Sequence, residues 1–260
     1  MKKKNLKGYG RIFYGLGITG IGVLHFFFKG FRPLITAIQP ENPESISIII
    51  YIFALYLIIS RILIIFEKKL KITSIVLAYV LMLFVVFGHL PKRIVNEPTS
   101  LGEWTNVFKM LSLVGGAFLV STSNSENISN KYILKLARLA PFGKYFFCTM
   151  LIAFGIDHFL YVKFVSGLVP DWIPFPIFWT YFTGVALLGA GISILIDFKI
   201  KIVCQLLAVM LFIWLFTVHF RLALRFPNWS GGENITAFFQ CLAFTGIALL
   251  IAATSEKEIN

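Results

Sequence analysis

Eight apolar runs, each about as long as a helix needs to cross a membrane, constrain this chain more than any other feature. They cover residues 11–28, 46–66, 72–90, 103–122, 142–161, 175–196, 200–220 and 233–253. About 20 residues rising 1.5 Å each span a hydrocarbon core. In lipid every backbone N–H and C=O must find its partner inside the protein, so such runs fold as helices. Composition agrees: 58% of residues are hydrophobic and only 14% charged, too few charges to coat a soluble domain of 260 residues. A net charge of +12 would suggest nucleic acid in a soluble protein. Here it belongs to basic loops, and the expected partner is the lipid bilayer, with no nucleic acid.

The basic residues also set an orientation. With the N-terminus inside, the inner segments carry fifteen Lys and Arg and the outer loops seven, leaving Arg61 and Lys109 within spans. That bias places both termini in the cytoplasm of a bacterial inner-membrane protein. Lys2, Lys3 and Lys4 before an apolar stretch resemble the start of a signal peptide. Bulky residues flank Gly17 and Gly20, so no cleavage site is expected and the segment is kept as the first span. Arg61 and Lys109 lie near span ends, where their side chains are expected to snorkel. Cys148, Cys204 and Cys241 fall within spans without metal-like spacing and read as small packing residues.

The second half repeats the first. A shift of 130 residues lays Tyr51 on Tyr181, Lys71 on Lys201, His89 on His219, Glu103 on Glu233, Gly116 on Gly246, and Ser125 and Glu126 on Ser255 and Glu256. A shift of 133 lays Gly10 on Gly143, Gly22 on Gly155 and His25 on His158. Apolar matches arise cheaply by chance; matched His, Glu and Lys in one register do not. The expected fold is therefore all-α and polytopic. Eight transmembrane helices form two tandem four-helix bundles, residues 1–122 and 142–260, joined by a cytoplasmic linker at 123–141. Four spans per unit is an even number, so the copies should be related by a pseudo-twofold axis along the membrane normal. Gly15, Gly17, Gly20, Gly115, Gly116, Gly184, Gly189 and Gly191 would let helices approach closely.

All four histidines are repeat-paired and fall near the outer face, each copy adding a Tyr and a Glu. One candidate ligand-binding set is His25, Tyr51, His89 and Glu103. The other is His158, Tyr181, His219 and Glu233, with Asp157 beside it where the first copy has Leu24. Two His and a carboxylate suit a metal with open positions; two facing His suit haem iron or a quinone; Tyr and His can relay protons. These residues do not name a cofactor: a quinone fits them, haem or a metal fits them less well, and no metal ligand is assigned. Interfacial Tyr is also a common belt residue, and His or Glu at a helix end can simply bond to backbone. Arg93, Arg221 and Arg225 in the outer loops are anion or lipid-headgroup candidates.

The second copy resembles the DoxX-like family of bacterial membrane proteins. Gly155, Ile156, Asp157 and His158 close its first helix. An outer loop from Val169 to Pro174 carries Pro170, Asp171, Trp172 and Ile173, and Tyr181, Phe182, Thr183, Gly184 and Val185 open the next span. His89, Leu90 and Pro91, then Gly102, Glu103 and Trp104, look similar to the family as well. The first copy departs from the pattern: its loop runs Arg32, Pro33, Leu34, Ile35, Thr36 without the Trp, and Phe53, Ala54, Leu55 replace Thr-Gly-Val. The resemblance implies a four-helix membrane bundle, here in a fused pair, and an association with quinone-linked redox complexes and their partner proteins. It carries over no catalytic residue. Three readings follow: a membrane redox protein or subunit holding a quinone-like carrier, a small-molecule transporter or binding protein with a path between the copies, and a scaffold for partner proteins.

Overall fold

The computed structural model describes residues 3–39, 41–66, 69–124, 126 and 128–254. Lys2, Lys68 and Lys257, which enter the charge count, and Ser125, Ser255 and Glu256, which enter the repeat, lie outside them. The described residues are helical, with no strand among them. The long helices are α1 (Lys3–Phe27), α2 (Ser47–Ile65), α3 (Leu70–Leu83), α4 (Thr105–Thr122), α5 (Gly143–Leu160), α6 (Pro176–Leu195), α7 (Ile200–Trp214) and α8 (Glu233–Thr254). With the short helical turns that extend them, they give eight segments long and apolar enough to cross a membrane.

The third and seventh spans run further than the apolar pattern alone suggests, to Asn96 and Arg225. Each is widened by one π-helical segment, Phe84–His89 after α3 and Leu215–Phe220 after α7, before helix resumes. A π turn shifts the hydrogen-bond register and frees carbonyls, so the chain passes Pro91 without ending. The linker is partly ordered as a short helix, Lys131–Leu136, capped by the Asn130 side chain at Tyr132 N (2.9 Å) and Ile133 N (3.3 Å).

The helices pack in two rows, α2-α1-α8-α7 and α3-α4-α5-α6, that touch at the centre through α4 and α8. The spans containing α4 and α8 are 67% and 72% buried, against 28% for those of α2 and α7, which sit at the rim. The four spans of each half do not close on themselves. The most extensive contact joins the first helix to the last, and α4 lies on α5 of the other half. Small residues cause this. A Cβ on Gly246 would sit 2.5 Å from Tyr14 N and 2.6 Å from Gly10 O; one on Gly17 would sit 2.5 Å from Phe239 O. Between α4 and α5, Gly115 and Gly143 meet in the same way. Lipid offers helices no hydrophobic gain on association, so close backbone approach is what draws them together. Gly189, by contrast, faces open space. Tyr14, fully buried, donates its hydroxyl to Leu113 O at 2.7 Å and ties α1 to α4 across the core.

Candidate functional site

In the first half the two histidines hold a loop. His25 closes α1, is 2% exposed, and donates from Nδ1 to Ile21 O at 2.8 Å. Its Nε2 then accepts from Arg32 N at 3.4 Å. His89, fully buried, donates from Nε2 to Leu34 O at 2.8 Å. The π turn leaves Gly88 O free to accept from Ala37 N and Thr36 Oγ1, both at 3.0 Å. Leu34 and Ile35 are thereby buried between the helix ends, and Phe31 and Phe53 pack edge-on to the His25 ring. The other expected members do not join. Tyr51 is 43% exposed and stacks on Phe26. Glu103 pairs with Arg93 at 2.6 Å, and Arg93 also contacts Glu97. The first set is thus divided among a sealed loop, a belt tyrosine and an ion-pair network.

The second half is arranged differently. His158 donates from Nδ1 to Phe154 O at 2.7 Å, and its ring stacks on Trp214 of α7 with centroids 6.1 Å apart. Tyr181 repeats Tyr51: it is 43% exposed and packs on Phe159. His219 makes no hydrogen bond to a described residue. Asp157, in the last turn of α5, is 7% exposed, and its Oδ1 is buried without a partner. Glu233 opens α8 and lies 3.8 Å from Lys109 Nζ in the second turn of α4; its Oε2 has no partner. Lys109 therefore does not snorkel outward. It bonds Asn106 Oδ1 at 3.2 Å, lies over the Phe154 ring, and is close enough for its charge to act on both Asp157 and His219.

Two more groups complete this cluster. Arg32, 2% exposed, reaches from the first-half loop to donate Nη2 to Gly231 O, while its Nε and Nη1 have no partner. Burial lowers the guanidinium pKa, and the nearby Glu233 carboxylate opposes that shift. Gly232 must be glycine, because its φ is +86° and a Cβ would strike the Phe28 ring at 2.5 Å. Gln240 follows Glu233 by seven residues on the same face of α8, is 2% exposed, and has Nε2 unpartnered. Lys109 of α4 thus meets Glu233 of α8 across the junction of the halves, with Asp157 of α5 and His219, in the π segment after α7, near enough to feel its charge.

Such a site can hold a polar head group and exchange protons. A buried carboxylate without a partner is costly in lipid unless it is protonated or complemented by a ligand. Among the described residues no three His, Cys, Asp or Glu are grouped as metal ligands. Arg221 bonds Leu168 O at 3.3 Å, and exposed Arg225 makes a loose 3.9 Å pair with Asp171. The three cysteines are free and buried, and Cys241 contacts Leu211 O.

Residues 147–253 are similar to a family described as a domain of unknown function, DUF8561; the matched stretch takes in most of α5 and α8 and all of α6 and α7. No curated protein and no solved structure matches the chain.

Proposed function

We propose that this DoxX-like membrane protein binds the head group of a small carrier of the quinone class between its halves, and exchanges protons with it. Asp157 carries the reading: a buried carboxylate with an unpaired oxygen, within reach of the charge of Lys109, whose ammonium Glu233 also faces. Lys109, Gln240 and the His219 ring would hold the carbonyls of a quinone ring, and the planar His158–Trp214 stack offers it a flat wall. A partner redox protein would supply or remove the electrons, with Asp157 taking up or returning the accompanying proton.

The chain is proposed to be two four-helix units related by a twofold along the membrane normal, in the bacterial inner membrane with both termini cytoplasmic. Every strong packing pair has its counterpart: α1–α2 with α5–α6, α3–α4 with α7–α8, and α1–α8 with α5–α4. The similarity to DUF8561 also falls on one four-helix half.

A transporter is the second reading. It is favoured by Lys109 and Glu233, which pair across the junction of the halves, where transporters of repeated architecture place their sites. Organic extraction of the purified protein separates the two. The quinone reading expects about one quinone per chain in wild type and little in Asp157→Leu. A wild-type extract without quinone would reject it.

A further inference from the structure

One side chain ties the first-half loop to the second-half cluster. Arg32 donates Nη2 to Gly231 O, in the turn that leads into Glu233 and α8. Its guanidinium lies 4.8 Å over the Phe28 ring, and the Glu233 charge acts on it. The turn it meets is made of glycine, with φ of +67° at Gly231 and +86° at Gly232.

The grip on this loop depends on the protonation of one ring. His25 commits Nδ1–H to Ile21 O at 2.8 Å, so the Nε2 lone pair must stay bare to accept from Arg32 N. A proton added at Nε2 would set N–H against N–H, with a second positive charge within reach of the Arg32 guanidinium. His89 differs. It donates Nε2 to Leu34 O, and its Nδ1 has no partner, so a second proton would leave that bond in place. The groups around His25 are few. The loop brings Arg32, and its exposed Lys29 is paired with Glu44. From α2 comes Phe53, while Tyr51 stacks on Phe26. The π segment after α3 brings His89, itself within reach of the Arg93 charge. From α8, Glu233 acts on Arg32. Among the described residues no carboxylate contacts the His25 ring to receive it as a cation.

We propose that this loop is a cap on the outer cluster, latched by neutral His25 and opened by acid at the outer face. Arg32 is the positioning residue that carries the opening to the turn before Glu233. The purpose of the cap rests on reading the cluster as a binding site, but its test needs no ligand, so the two can fail separately. A free imidazole takes its proton near about pH 6.5. Only the open loop has room for that proton, so closure weakens about tenfold for each pH unit below this value.

Deuterium exchange of the full chain in detergent, corrected for the intrinsic rate at each pH, tests the cap. The loop amides of Ile35, Thr36, Ala37 and Ile38 bond to Arg32 O and Gly88 O, and those of Gly232 and Thr236 to the second-half turn. From pH 7.5 to 5.5 the loop should lose protection about tenfold, and the turn should follow. His25→Gln, whose amide oxygen accepts from Arg32 N at any pH, should keep both protected throughout. Arg32→Met should leave the response of the loop and uncouple the turn from it. Protection that ignores pH in the wild type, or a response that persists in His25→Gln, would overturn the proposal; a turn that still follows in Arg32→Met would remove the role of Arg32. If His25→Gln does not fold, nitrogen NMR of the wild-type imidazoles decides. One ring should hold its Nδ1 proton and gain a second at Nε2 in step with the loss of protection, and no ring titrating in that step would overturn the latch.

Discussion

Asp157→Leu should make the protein more heat-resistant and abolish its binding of a quinone analogue. The two effects have one cause. Asp157 is 7% exposed with an unpaired oxygen, and an unsatisfied buried polar group costs about 1–3 kcal/mol. Leucine suits the place: the register puts Leu24, also buried, at the matching position of the first half. Removing the carboxylate should raise the melting temperature by several degrees, about 2–4 °C for each kcal/mol at this chain length. It also removes the proton acceptor beside Lys109, so binding goes as stability rises, the usual trade at a functional site. Thermal unfolding in detergent and equilibrium binding on the same samples check both halves of the expectation. A destabilised variant that still binds would make Asp157 a structural residue.

Gly246→Ala should be among the most damaging single-methyl changes in the chain. Its Cβ would lie 2.5 Å from Tyr14 N and 2.6 Å from Gly10 O, both backbone atoms that no rotamer change can move. The helices must separate where first and last spans cross, and the buried Tyr14–Leu113 bond between α1 and α4 is strained with them. Overpacking of a close-packed core costs about 1–3 kcal/mol and more where backbone is struck. Gly189→Ala is the control. It meets nothing within 4 Å and gains about 1 kcal/mol of helix propensity. Size-exclusion profiles and melting curves should show Gly246→Ala aggregated or strongly destabilised and Gly189→Ala at or above wild type. Similar behaviour of the two would remove the glycine crossing as the reason the halves interlock.

The spans were legible because crossing lipid leaves a chain few choices: length, apolarity and helix go together. Helix pairing was less so. Gly10 and Gly246 are visible in the sequence, but nothing in a linear pattern says that they meet each other rather than a neighbour in the same half. The candidate site was half legible. Recurrence singled out the histidines and Glu103 with Glu233, and in the first half it found residues that hold a loop. Shared architecture is what both copies must preserve, so recurrence favours structural roles. In the second half the recurring Glu233 and His219 join residues that the repeat does not copy: Asp157 against Leu24, Lys109 against Phe239 and Gln240 against Met110. The signal that finds them is opposite charge at matching depth in different spans. Arg32 and Trp214 enter only through tertiary contact, which no spacing rule supplies.

Quenching of Trp214 emission by a water-soluble quinone analogue tests the central claim most directly. Trp214 stacks on His158 beside the cluster, and the other four of the five tryptophans can be replaced by phenylalanine to isolate its signal. Saturable quenching is expected in this background. It should survive Tyr51→Phe, which removes only the hydroxyl of an exposed first-half ring stacked on Phe26, and be lost in His219→Ala and Asp157→Leu. Quenching that fails with Tyr51→Phe but persists in the other two would contradict the account and return the site to the first half.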